Sequence, residues 1–203
     1  NHADNVKYTF DADSYRWNAD RTIYWKDKVT PVDAYGYYPY REDIADVKAM
    51  PFTVCSNQSE LDKESGKGGY EASDFLWAKA TEVSPSHGTI NLQHNHMMAS
   101  VMVTLVPGEG FTSEEWAALD KIVMIENTRL ASYIDLSNGE VTVDETADPH
   151  AIVAAKDGQD WRAVVVPQTV DQDLSLISIT INGYSFHLRR SDMMTFHQGK
   201  MHK

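Results

Sequence analysis

Ile90-Asn-Leu-Gln-His-Asn-His-Met-Met-Ala-Ser-Val-Met-Val-Thr-Leu-Val106 is the stretch whose reading decides the fold. Val101, Val103 and Leu105 alternate with Met102, Thr104 and Val106, the period of a strand whose two faces differ. Ile90 and Leu92 begin the same alternation, with Asn91 and Gln93 between them, and His94-Asn-His96 interrupts it. Pro107-Gly108 ends the run, because proline cannot donate to a ladder and glycine permits a reversal. The stretch therefore reads as a long, apolar strand at a sheet centre with a polar break in its middle. Val101, Val103 and Leu105 are expected in the core.

Outward from that strand, short alternating runs recur on both sides. Val6 to Phe10 is one. Tyr15-Arg-Trp17 and Thr22 to Trp25 look like a short pair. Val32-Asp-Ala-Tyr-Gly-Tyr-Tyr-Pro-Tyr40, Phe52 to Cys55 and Ser73 to Ala80 follow. Ile44 to Met50 has the look of a helical turn before Pro51, and Ser56 to Gly69 that of a polar surface loop. After Pro107, Thr112-Ser-Glu-Glu115 has the capping-box spacing, so a short helix is expected there. Strands are then expected over 122–126, 131–136, 140–143, 151–153, 161–166, 174–181 and 184–188. Ser137-Asn-Gly139 and Asn182-Gly183 are hairpin turns, the second the strongest such signal in the chain. Many short strands and one helix predict an all-β protein built as a β-sandwich.

Composition narrows the function. The 203 residues are 42% hydrophobic and 24% charged, enough for a packed core. A net charge of −12 argues against nucleic acid or an anionic membrane surface as partner. There is no transmembrane run of apolar residues. Cys55 is the only cysteine, which excludes an internal disulfide and reads as a small strand residue. His94 and His96 would share one face of a strand, but no Asp or Glu lies near them in sequence, so a polar break is preferred to a metal site. The glycines of 66–69 lack phosphate-loop spacing, and there is no Gly-x-Ser-x-Gly elbow. No catalytic, cofactor-binding or metal-ligating residues are assigned, and no cofactor is expected. Tyr35, Tyr37, Tyr38, Trp25 and Trp77 are the candidates for a sugar-stacking platform, against the alternative that they are half-buried in a sheet.

Several segments, in order, carry a resemblance. Val32 to Tyr40 resembles the "VdFyAYYPY" strand of the fimbrillin family, the type V pilins and pilus-associated lipoproteins of Bacteroidales. Gln58 followed by Ser73-Asp-Phe-Leu-Trp-Ala78 is similar to its "dQs…sDlmyA" segment, and Leu92 to Leu105 to its "l.FkHamskv.v.l" strand, with His96-Met-Met-Ala-Ser-Val101 matching best. Ala131 to Gly139 resembles "atldLstG", Val165-Val-Pro-Gln-Thr169 resembles "vvPQt", and 191–203 resembles "f.pGk.y". Gln93-His-Asn95 departs from the family's Phe-Lys stretch.

The resemblance implies transthyretin-like β-sandwich domains. Residues 1–146 would form an N-terminal domain whose first strand is missing, and 147–203 part of a C-terminal one. Asp144 to Pro149 would be the linker. It further implies export as a lipoprotein to the outer membrane and cell surface. There the chain would be a structural or adhesive pilus subunit (stalk, tip or anchor) that is not an enzyme. Its partners would be other pilin subunits, joined by strand exchange, and possibly a host or bacterial surface ligand. A lipobox cysteine and an Arg processing site would lie upstream, so the chain is expected to be a trimmed form or a fragment. The competing expectation is a surface carbohydrate-binding module using the five aromatics above.

Overall fold

The computed structural model describes residues 4–63 and 66–203. The chain opens with a hairpin, β1 (Tyr8–Asp11) and β2 (Arg16–Ala19). The Asp11 carboxylate shapes its turn, accepting from the Asp13 N–H at 3.0 Å and the Ser14 hydroxyl at 2.5 Å. Then come β3 (Val32–Tyr38), β4 (Met50–Thr53), a short helix α1 (Gly69–Ala72) and β5 (Leu76–Val83). β6 (Asn95–His96), β7 (Ala99–Thr104), α2 (Ser113–Ala118), β8 (Lys121–Thr128), β9 (Ala131–Asp135) and β10 (Glu140–Val143) follow. The last third adds β11 (His150–Val153), β12 (Ala155–Asp157), β13 (Asp160–Val165), β14 (Gln168–Val170) and β15 (Ser175–Ile181). It ends with β16 (Tyr184–Arg189), β17 (Met194–Phe196) and β18 (Met201–His202).

Two four-stranded sheets dominate, in the orders β11-β8-β15-β16 and β12-β13-β7-β18. Both join strands from before and after residue 146: β8 pairs with β15, and β7 with β13. Smaller sheets, β10-β9-β4 and β3-β5-β6, cover the first half, and β14 pairs with β17. Apart from the β7–β18 pair, which is parallel, the strand pairs are antiparallel. One buried cluster runs through the molecule, from Phe52 and Phe75 near β4 to Ile125, Ile152, Trp161 and Phe196. Phe52 and Phe75 meet edge-on, 5.2 Å between ring centroids. The result is a β-sandwich, as the strand count and turn spacing lead one to expect.

Local chemistry explains several boundaries. The Thr112 hydroxyl accepts from the Glu115 N–H at 3.2 Å, and Glu115 returns a carboxylate to the Thr112 N–H at 2.9 Å, starting α2. Asn182 and Gly183 both have positive φ, 47° and 84°, as a two-residue turn between right-twisted strands needs. Gly139 is required twice over. Its φ is +79°, and a Cβ there would lie 2.6 Å from the Trp77 ring.

Several expectations are corrected. The strand does not begin at Ile90: residues 90–94 are irregular, and the regular part is split. Asn95–His96 pairs with β5, and Ala99–Thr104 pairs with β13 in another sheet. Between them Met97 and Met98 are buried, so the polar break is where the chain crosses the core from one sheet to the next. Arg16–Ala19, not Tyr15–Trp17, forms the strand and pairs back onto Tyr8–Asp11 through the turn that Asp11 shapes, while Thr22 to Trp25 forms no strand. Ile44 to Met50 forms turns without a helix, and α1 was not anticipated. Cys55 lies just past the end of β4, half-buried, its N–H bonded to the Ser73 hydroxyl at 2.8 Å.

Candidate functional site

β7 is a partly buried strand with an incomplete ladder. On one side β13 pairs with it along its whole length, Ala99 to Thr104. On the other side β18 reaches only Ser100 and Val101. The Ser100 N–H donates to the Lys200 carbonyl at 2.9 Å, so Ser100 turns its main chain toward β18. Main-chain direction alternates along a strand, so Met102 and Thr104 face the same side; the Val101–His202 register already engages the Met102 N–H, and the Met102 C=O and both main-chain groups of Thr104 lie past the end of β18. Among the described residues no strand pairs with that half-edge.

Beneath it lies apolar surface. A groove of about 160 Å³ is lined by Val101 and Met102 of β7, Ile125 of β8, Leu176 and Ile177 of β15, Leu188 of β16, and Phe196. Arg190, His202 and Lys203 form its polar rim. A space of this size, comparable to cavities that accept a benzene-sized group, can take one large apolar side chain. Burial across the floor fades in register. Ile125 is fully buried, its neighbour Ile177 is half-buried, and Leu188 beyond it is 51% exposed. Val123, Ile179 and Phe186 repeat the trend, ending at 56% exposure.

His202 stands at the groove's corner. Its Nε2 accepts from the His197 N–H at 3.1 Å, and its ring meets Phe196 edge-on at 5.4 Å. Burial, and secondarily the neighbouring His197, hold its pKa below the usual histidine value.

A second free edge belongs to β4. The Val54 N–H bonds to Leu130, so Met50 and Phe52 also face β9, and Pro51 and Thr53 face outward. Pro51 has no N–H to offer, which blunts that edge. The adjoining open depression, about 500 Å³, is lined by charged groups, Arg41, Asp43 and Asp62, as well as Met50 and Val54.

The residues weighed as functional candidates are placed as follows. Tyr37 stacks on Phe75 at 6.2 Å, and its hydroxyl donates to the Asn5 side chain at 2.6 Å. Trp77 is half-buried, its indole N–H bonded to the Leu136 carbonyl at 2.9 Å. Tyr35 is exposed but tilted 46° to Trp77, Tyr38 meets Lys67, and Trp25 is half-buried. The five do not present a coplanar exposed pair to a sugar ring. His96 is brought to Asp74, with Nδ1 2.7 Å from the carboxylate, a partner 22 residues away that sequence proximity does not reveal. His94 packs over Gly36. Among the described residues no three His, Cys, Asp or Glu side chains are grouped as metal ligands.

One constellation escaped the sequence reading: Ser175, His187 and Glu126 on adjacent strands. Both the Ser175 hydroxyl, at 3.2 Å, and the Glu126 carboxylate, at 3.5 Å, meet the same ring nitrogen, Nδ1. A catalytic triad needs the base between nucleophile and acid, one on each nitrogen, so this is a polar cluster on an exposed face. Partial burial of Glu126 opposes its charge, but bonds from Ser175 and His187 outweigh it and lower its pKa.

A family model described as fimbrillin-like matches residues 1–203. The chain belongs to the fimbrillin-like family. The fold agrees. A solved candidate cell adhesion protein from Bacteroides uniformis superposes with a TM-score of 0.73 at 21% identity, over 99% of this chain and 79% of that one. Another from Bacteroides ovatus gives 0.61 at 14% identity, over 88% and 66%. A fimbrial protein from Bacteroides ovatus gives 0.51 at 16%, over 98% of this fimbrillin-like chain and 39% of that one. No curated protein matches the sequence. No described helix of the fimbrillin-like chain is long and apolar enough to cross a membrane.

Proposed function

We propose that this fimbrillin-like chain is a structural or adhesive subunit of a bacterial cell-surface pilus, and that it joins other pilin subunits by accepting an extended strand at β7. The observation that carries this reading is the apolar groove beside β7, lined by Met102, Leu176, Ile177 and Leu188. An added strand would bond to the Met102 carbonyl and the Thr104 main chain while its alternate side chains fill the groove over Leu176 and Leu188. Either half alone would be weak; together they give register and affinity at once. A cell-surface location and a lipoprotein precursor follow from the same family reading. Family membership, and the names of the structural neighbours, support assembly rather than catalysis.

The experiment is a melting series with 12-residue peptides tiled along this chain, plus an alternating Val/Thr peptide. At least one alternating peptide is expected to raise the melting temperature in a saturable way. Its counterpart with Pro at alternate positions should have no effect, because it cannot complete the ladder. A monomeric protein unmoved by every peptide would sink the reading.

A further inference from the structure

β18 is a strand of two residues at the edge of its sheet, and β7 is its strand partner. It covers β7 from the Ser100 N–H, which donates to the Lys200 carbonyl at 2.9 Å, to the Met102 N–H. The chain reaches that position through a tight turn. The Lys200 N–H donates to the His197 carbonyl and the Gly199 N–H to the Met98 carbonyl, both at 3.1 Å. Gly199 has a φ of +65°, and a Cβ there would lie 2.9 Å from the His96 carbonyl oxygen, so the turn needs glycine. A ladder of two residues is shorter than strands usually are, so other contacts must hold β18 in place.

The His202 side chain supplies them. Its Nε2 accepts from the His197 N–H, its ring meets Phe196 edge-on, and the His197 ring stacks on it at 6.0 Å. An accepting Nε2 requires the neutral ring; protonated, it becomes a donor aimed at a donor. The surroundings do not compensate the charge. His197, Lys200 and Lys203 lie in the same segment, and Arg190 stands on the groove rim. Neither Ala99–Thr104 of β7 nor Met194–Phe196 of β17 carries a titratable side chain, and β8, β15 and β16 give the groove only Ile125, Leu176, Ile177 and Leu188. The one carboxylate of residues 184–203, Asp192, is held by Arg190 at 2.7 Å.

We propose that His202 is an acid-released clasp: protonating its ring frees β18 from β7 and lengthens the edge offered to an incoming strand. With the clasp closed, that edge is the Met102 carbonyl and the Thr104 main chain; with it open, the Ser100 main chain and the Met102 N–H join it. The inference rests on the reading of β7 as a strand acceptor and adds its regulation. The closed corner disfavours the charged ring, first through burial and then through His197, which holds the pKa below the ordinary 6.5. Closure is therefore favoured above 6.5 and is lost as pH falls through the lower, closed-state value. Acid opens the joint, and neutral pH shortens it.

Amide hydrogen exchange on the chain alone reads the clasp. Protection of the Ser100 amide, taken against the unstructured rate at the same pH, is expected to fall severalfold between about pH 7.5 and about pH 5. The Val101 amide, laddered to β13, should keep its protection, which separates release of β18 from unfolding. His202→Gln, which still accepts but does not titrate, should hold Ser100 protection constant, and His202→Ala should lower it at both pH values. A second measurement is the Kd of a capped alternating Val/Thr peptide, which has no titrating group. It should tighten severalfold in acid for the native chain and stay constant for His202→Gln. Ser100 protection that is the same at both pH values, or that falls equally in His202→Gln, would overturn the clasp. So would a peptide Kd that ignores pH while Ser100 opens. Ser100 opening in acid with no peptide bound at either pH would support the clasp and contradict the strand-acceptor reading, so the two fail separately.

Discussion

Gln58 sits in one of the most polar stretches of the chain, yet its residue is 2% exposed. Its amide imitates a peptide unit: Oε1 accepts from the Val164 N–H at 2.8 Å, and Nε2 donates to the Val164 carbonyl at 2.7 Å. Gln168 does the same for Arg129. Removing such an amide would leave buried main-chain groups unpaired at about 1–3 kcal/mol each. His202 is the residue with a pH signature. Its Nε2 accepts a hydrogen bond, so the folded state favours the neutral ring, and the folded pKa lies below the ordinary 6.5. A depressed base contributes stability above its unfolded pKa and loses it as pH falls through the folded one. The melting temperature should therefore drop between about pH 7 and pH 5 more steeply in the native chain than in His202→Gln, which keeps an acceptor without titrating. Parallel pH profiles would refute this role.

β7 shows how an element inherits its burial from its neighbours. Val101 is 6% exposed, Val103 and Leu105 pack partly against the core, and Val106, beyond the ladder, is 79% exposed. Val103→Asp should destabilise the fold by about 3 kcal/mol through an unpaired charge at the core, whereas Val106→Asp should change it by under about 0.5 kcal/mol. Urea titration of the two variants checks the contrast; equal midpoints would contradict the placement. The alternation at Val101 to Leu105, the Thr112 capping box and the Asn182-Gly183 turn were legible because neighbours within a few residues cause them. The sheet crossing at Met97–Met98 was not, since the partners of β6 and β7, Leu76 and Ala163, are remote in sequence. Nor was Gln58, whose partner lies 106 residues away. The aromatic hairpin was half legible: its strand residues alternate, but only the Asp11 turn selects which run pairs with which.

At the scale of the whole molecule, the proposed function assigns the uncovered surfaces to the addition of further strands. The blunted edge at Pro51 is protected, the edge of β7 from the Met102 carbonyl to Thr104 lies beside an apolar groove, and Tyr184 and Phe186 of β16 are exposed. An open edge beside apolar surface is a hazard for a protein that stays alone and a joint for one that polymerises. Amide hydrogen exchange at Thr104, compared between monomer and assembled fibre, tests strand addition most directly. Its amide should exchange freely in the monomer and slow at least tenfold on assembly, the equivalent of about 1.4 kcal/mol and of one net hydrogen bond. Val101, already laddered to β13, and Met102, whose N–H the β18 register engages, should change little. Fibres in which Thr104 exchanges as fast as in the monomer would contradict strand addition at β7.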